Sequence, residues 1–350
     1  MNCIKYKNRL HTYIIAEIGV NHNGSVEHAI ELVDLASSAG ADAVKFQSFR
    51  AEDLSRIDTP KVQYQITNTC SGETHYEMLK KLELSKSQHQ EIISYCQQKS
   101  INFISTPYSI NAVEMLEDLG VSEYKIASAD LVDIPLLEAI AATRKPSIIS
   151  LGMASLAEIE FALRKFSTYK PSDLALLHCV SNYPCSDTSL NLNVINTLKQ
   201  NFPYSVGLSD HSIGSVGAIL SVGLGASIIE KHFTSNKALE GPDHKASSTP
   251  NEFSNLVKNI RRSEAQLGNR VKTMQNEEKE MAQISRKSLA YSRDILVGET
   301  LHKTDFMMIR PGTGLPWQAI DGFIGNVIST ARMRGDHCSL SDILCIKKSF

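Results

Sequence analysis

From Tyr13 onward, short apolar runs rich in Val and Ile alternate with longer stretches whose apolar residues recur at helical spacing. The runs 13–19 (YIIAEIG), 42–47 (DAVKFQ), 102–107 (NFISTP) and 124–128 (YKIAS) read as strands. So do 147–152 (SIISLG), 174–179 (LALLHC), 204–210 (YSVGLSD) and 226–233 (ASIIEKHF). Between them, 26–39 aligns Ile30, Val33, Leu35 and Ala36 on one stripe. The last helical stretch, about 251–267, gathers Phe253, Leu256, Val257, Ile260 and Leu267 on one face. Eight strand–helix units in roughly 260 residues have the size and rhythm of a closed parallel (β/α)8 barrel, an α/β TIM barrel. An open doubly wound sheet is the alternative, but no G-x-G-x-x-G follows the first strand.

One connection, 48–85, is long enough to be functional and would lie over the barrel's opening. After Gly268 the rhythm changes: 272–285 is polar and charged, and 286–350 shows short runs separated by Gly, Pro and Asp. The expected organisation is a barrel over 1–270, a linker over 271–285 and a small β-rich domain over 286–350.

Composition alters this picture little. The chain of 350 residues is 42% hydrophobic and 21% charged, as expected of a globular protein. A net charge of -2 gives no reason to expect nucleic acid or an anionic membrane as partner, and Arg261-Arg262 and Lys347-Lys348 are short basic pairs. The start, MNCIKYKNRLHTY, has no apolar signal core, and the apolar run 216–229 is too short and too glycine-broken to span a bilayer. Seven cysteines without a C-x-x-C pair indicate neither a disulfide framework nor structural zinc, so a reduced, cytoplasmic setting is expected.

Barrel active sites form at the carboxyl ends of the strands. Here those ends carry Glu17 and Asn21, Lys45 and Gln47, Ser105 and Thr106, Lys125 and Ser128, Ser150, His178 and Ser181. The last two strands add Ser209, Asp210 and His211, then Glu230, Lys231 and His232. Lys45 and Lys125 each interrupt an apolar strand, where an ammonium needs an anionic partner. That partner could be a neighbouring carboxylate or a bound phosphate and carboxylate, with Thr106, Ser128, Ser150 and Ser209 as neutral donors. His211 and His232 close successive strands. They suit either a divalent metal with open positions or ordinary hydrogen bonds to the backbone. His178 and His244 are weaker candidates.

AEIGVNHNG (16–24), DAVKFQSF (42–49), STPY (105–108), YKIAS (124–128) and LHCVSNYP (177–184) resemble the sialic acid synthase family. GLSDHSIG (207–214), IEKHF (229–233) and GPDHKAS (241–247) do so too, in the family's order. RKSLAY (286–291) and IRPGTG (309–314) resemble the small antifreeze-like SAF domain, a β-clip, that such enzymes carry. The resemblance implies condensation of phosphoenolpyruvate with an N-acylated hexosamine in a domain-swapped homodimer. It implies Mn2+, or Co2+ or Mg2+, held by His211 and His232. Phosphoenolpyruvate would be gripped by Lys45, Thr106, Lys125, Ser128, Ser150 and Ser209, and Glu17 would handle protons. Tyr183, Asp243 and Arg310 of the partner subunit would bind the amino sugar.

Three positions depart from the family's pattern: Leu151 in Ser150-Leu151-Gly152-Met153, Asp130 in Ser128-Ala129-Asp130, and Ser181. Asp130 and Ser181 are expected to face the sugar. The expected product is N-acetylneuraminate from N-acetylmannosamine, with legionaminate from a 2,4-diacetamido hexose as the rival. Synthases of seven- or eight-carbon acids would need a phosphate pocket for the acceptor and no small domain. A metal hydrolase would need further ligands such as an H-x-H on the first strand, where Glu17-Ile18-Gly19 stands. A non-catalytic sugar-binding protein would not keep this strand-end chemistry.

Overall fold

The computed structural model describes residues 6–69 and 72–343. Lys347-Lys348 and the ends of the chain lie outside the described residues. The chain divides into two compact units, Met1–Gly268 and Asn269–Phe350.

In the first unit eight strands close into a barrel in sequence order, every neighbouring pair parallel. They are β1 (Tyr13–Gly19), β2 (Ala43–Ser48), β3 (Asn102–Pro107), β4 (Tyr124–Ile126), β5 (Ser147–Ser150), β6 (Leu174–Cys179), β7 (Ser205–Asp210) and β8 (Ile228–His232). Helices cover the outside, so both strand faces are buried and the strands read as apolar runs rather than alternating ones. Ser25, Ser85, Ser109, Ser155 and Thr249 cap the covering helices by accepting from the backbone N–H three residues on.

Inside the barrel, Ile15, Ala43, Ile104, Ile148, Ala175, Leu177 and Ile228 pack into a core. At its amino-terminal end, Glu123 is fully buried and accepts from Tyr6 Oη at 3.0 Å and Tyr13 Oη at 2.8 Å. The Lys7 ammonium lies 2.9 Å from the same carboxylate.

Two local expectations change. The fourth strand ends at Ile126 instead of 128, because Ser128–Val132 turns as a 3-10 helix. The long 48–85 connection carries three short helices, Ala51–Leu54, Gln63–Asn68 and His75–Leu82. The last of these buries Met78, Leu79 and Leu82 against Val20 and Phe49.

The second unit is built on an antiparallel pair, β9 (Ser288–Tyr291) and β10 (Phe306–Ile309), around a core of Leu289, Tyr291, Ile295, Leu301, Phe323 and Ile328. The stretch expected as a linker over 271–285 is corrected in its second half. It forms a helix, Lys279–Ser285, held by Gly312 N–H donating to Gln283 O at 2.7 Å. Among the described residues no helix is long and apolar enough to cross a membrane.

Candidate active site

A cavity of roughly 470 Å3 opens at the carboxyl ends of the strands. Glu17, Lys45, Lys125, Ser128, Ser150, Ser181, Tyr183, Ser209, His211, His232 and Asp243 all line it. Thr106 lies one step behind, accepting from Lys45 Nζ at 3.3 Å. Asp130 sits in the 3-10 turn after β4, outside the lining, with a buried Oδ2 that makes no hydrogen bond. Arg310 is exposed in the second unit. His178 Nε2 donates to Leu190 O at 2.7 Å, and His244 Nδ1 pairs with Thr234 Oγ1 at 2.7 Å, so both serve the scaffold. Of these two contacts the first fixes Nε2 as the donor, since a carbonyl only accepts.

The floor is a chain of buried charges. Lys45 Nζ lies 2.8 Å from Glu17 Oε2, and Glu230 Oε2 lies 3.8 Å from Lys45 and 3.9 Å from Lys125. Lys125 Nζ donates to Ser150 Oγ at 2.5 Å and Ile126 O at 2.9 Å. Gln47 donates to Glu17 at 3.1 Å, and Ser209 to Glu230 at 3.0 Å. Two ammoniums thus share carboxylates at distances where an incoming anion can compete.

Burial raises the Glu17 carboxyl to about 7, with Lys45 pulling it down and Glu230 pushing it up. Burial also opposes the charge on Lys45, but Glu17 and Glu230 outweigh it and hold the ammonium above its ordinary value. Lys125 goes the other way, lowered mainly by burial and further by Lys45. Burial raises Asp130 to about 7, helped by Asp133, and Asp243 to about 6 against the pull of His211 and Lys45.

The histidine pair crowns this floor. The rings of His211 and His232 are 5.4 Å apart, and Tyr183 packs on His211 at 4.1 Å and edge-on to His232 at 5.4 Å. His211 Nδ1 donates to Val180 O at 2.8 Å, which leaves the lone pair on Nε2, 3.5 Å from Ser209 Oγ. His232 Nδ1 is buried without a hydrogen bond, 3.9 Å from Asp243 Oδ2. Burial first, then the His211 ring and the ammoniums of Lys45 and Lys231, hold His232 well below the usual histidine value, so it stays neutral. A buried, bare, neutral imidazole nitrogen is costly alone and fits a cation. Among the described residues no group of three or more His, Cys, Asp or Glu could hold a metal ion. The protein therefore offers two imidazoles, and water or substrate would complete the shell.

Glu230, one of the strand-end residues read from the sequence, lines the cavity too, and so do Cys179, Tyr64 and Tyr108, which sequence reasoning did not single out. Glu230 lies two residues before His232, hence on the same face of β8. Burial works against the Cys179 thiolate, but His211, with Ser128 and Lys125, brings the thiol down to about 7. Tyr64 comes from the long β2 connection and packs 5.6 Å from Tyr183. That connection is stitched to the loop after β8, Gly241 N–H donating to Asn68 O at 3.3 Å and Asn68 Nδ2 to Pro242 O at 3.0 Å. From the β1 loop, Asn23 Nδ2 donates to Glu240 O at 3.0 Å. Gly152 has no room for a side chain, since a Cβ there would lie 2.2 Å from Ser181 Oγ.

A closed parallel barrel with paired ammoniums and hydroxyls at its carboxyl-terminal opening defines a barrel enzyme for an anionic substrate. The chain belongs to the NeuB family, whose model matches residues 32–272, and is an enzyme of the nonulosonate synthase class. It is 41% identical over 321 residues to the N,N'-diacetyllegionaminic acid synthase of Legionella pneumophila, spanning 91% of this chain and 90% of that one. It is 39% identical over 318 residues to the synthase of the same name from Campylobacter jejuni, spanning 90% and 95%. Among solved structures, the N-acetylneuraminic acid synthetase of Leptospira borgpetersenii in complex with citrate superposes with a TM-score of 0.70. It is 34% identical and covers 80% of this chain and 95% of that one.

Proposed function

We propose that the enzyme condenses phosphoenolpyruvate with 2,4-diacetamido-2,4,6-trideoxymannose and water, giving N,N'-diacetyllegionaminic acid and phosphate. The observation that carries this choice is the higher identity to two legionaminic acid synthases, 41% and 39%, than to the sialic acid synthetase, 34%. It reverses the order of acceptors expected from the motifs, where N-acetylmannosamine came first. The cavity wall supports it as well. Leu54, Val62, Met78, Leu79 and Leu82 line the side supplied by the β2 connection, and an acceptor with a 6-methyl and a second acetamido group is the more apolar of the two.

In the reaction, Lys45, held from behind by Thr106, and Lys125 bind the carboxylate and phosphate of phosphoenolpyruvate, and Ser128, Ser150 and Ser209 orient it by neutral donation. C3 of phosphoenolpyruvate bonds to the sugar's aldehyde carbon, water adds at C2, and the C2–O bond to phosphate breaks. The carboxylates Glu17 and Glu230 stabilise positive charge developing at C2. Glu17, titrating near 7, takes or returns the proton that the aldehyde oxygen and the attacking water exchange. A divalent ion held by His211 and His232, Mn2+ first and Co2+ or Mg2+ as alternatives, supplies Lewis-acid polarisation of the aldehyde when bound. Asp243, Tyr183 and Ser181 bind the amino sugar, and Arg310 of the partner subunit addresses its N-acyl group in a domain-swapped homodimer.

The deciding measurement is phosphate release from phosphoenolpyruvate with Mn2+, comparing the two acceptors. A kcat/KM at least tenfold higher for the diacetamido sugar, with a nine-carbon keto acid as product, is expected. A preference for N-acetylmannosamine would restore the neuraminate assignment, and release with neither would overturn both.

A further inference from the structure

Lys231 and Asp210 are buried beside the histidine pair, and the chemistry above does not use them. Consecutive strand residues alternate faces. Ser209, Asp210 and His211 at the end of β7, and Glu230, Lys231 and His232 at the end of β8, therefore run inward, outward, inward. The inward members face the cavity, where Ser209 meets Glu230 and the two rings stand 5.4 Å apart. The outward members are register partners, with Lys231 Nζ donating to Asp210 Oδ2 at 2.8 Å.

This pair does more than bridge two strands. Lys231 Nζ also donates to Ser212 O at 2.8 Å, and Asp210 Oδ1 accepts from Ser212 N–H at 2.9 Å and Ser212 Oγ at 2.6 Å. The residues on both sides of His211 are thereby tied to the side chain that adjoins His232. The covering helix leaves space for it: a Cβ on Gly217 would stand 3.1 Å from Ser212 Oγ and 3.6 Å from Asp210 Oδ1. Two buried charges bring a desolvation cost that an apolar pair avoids, so stability alone does not account for them. Fixing a geometry does.

We propose that the Lys231–Asp210 pair is a strut that sets the spacing and orientation of His211 and His232 for a divalent cation, both residues acting as positioning residues. This rests on the histidine pair holding that cation. The test is calorimetric titration of the full-length protein with Mn2+ alone, comparing wild type, Asp210→Asn/Lys231→Met and Ser212→Ala. The double variant leaves no lone buried charge and keeps an acceptor for Ser212. Its Mn2+ affinity should fall roughly tenfold or more, in the range seen for outer-shell partners of metal ligands, with the KM for phosphoenolpyruvate at saturating Mn2+ unchanged. Ser212→Ala loosens only the loop end, and a weakening of about threefold is expected, well below the outer-shell range. Wild-type affinity in Ser212→Ala and in a folded double variant would overturn the strut. Absence of Mn2+ binding in the wild type would instead overturn the histidine pair as the cation's holder, and the strut with it.

Discussion

The two ends of the barrel handle buried charge in opposite ways. At the amino-terminal end, Glu123 is enclosed by Tyr6, Tyr13 and Lys7, and both carboxylate oxygens have partners. At the carboxyl-terminal end, Glu230 Oε2 and His232 Nδ1 are buried without a hydrogen bond, and two ammoniums share two carboxylates. A closed network spends its polar groups on one another and stiffens the fold. An open one leaves them for a ligand, at a cost in stability. Burial alone does not separate the two ends; hydrogen-bond completeness does.

The sharpest way to test this contrast is to cut each network once. His232→Ala should lower turnover about a thousandfold or more, the several kcal/mol a polarising cation supplies, while the melting temperature stays near wild type. A comparable loss of melting temperature would place His232 with the structural groups. At the other end, Glu123→Gln should cost about 1–3 kcal/mol in denaturant unfolding, because one of the two acceptor oxygens becomes an NH2 donor facing a hydroxyl or the ammonium. Both KM values should stay within about twofold, too small a change for any lost substrate contact. A selective KM change would erase the distinction.

A third effect concerns Asp243. Burial lifts its carboxyl from 3.8 to about 6, so the folded protein keeps the proton to higher pH than the unfolded chain. Stability from this group is accordingly lost as pH rises through that window, and the loss persists above it. Asp243→Asn should therefore gain stability relative to wild type at pH 7.5 compared with pH 4, by about 2 kcal/mol. A pH-independent difference would mean that this end of the barrel is less dehydrated than its geometry indicates.

Much of the first unit was legible because a barrel strand covered on both faces is an apolar run, and each run here closed on polar residues. Nine of the expected site groups that line the cavity, such as Lys45 and His232, could be found from that rule. The two-residue period then puts Glu230, another strand-end residue, beside His232. Tyr64 and Asn68 were out of reach, since only the folded β2 connection brings them over strands far along the chain. The Tyr6–Glu123 contact likewise spans 117 residues and follows from barrel closure, which local patterning does not encode. The 271–285 stretch read as a linker because the short helix in its second half buries none of its residues, Met281 and Ile284 included, and is held instead through Gln283 and Gly312.

The stitching of Asn23 and Asn68 to residues 240–242 has a temporal consequence. Synthesis proceeds from the amino terminus, and contacts of such separation form last. On the ribosome, β1 and the β2 connection emerge long before the loop they will fasten to. The nascent chain therefore has no complete binding wall until about residue 250 has cleared the exit tunnel, and a polypeptide truncated earlier would leave the translation machinery without a substrate pocket.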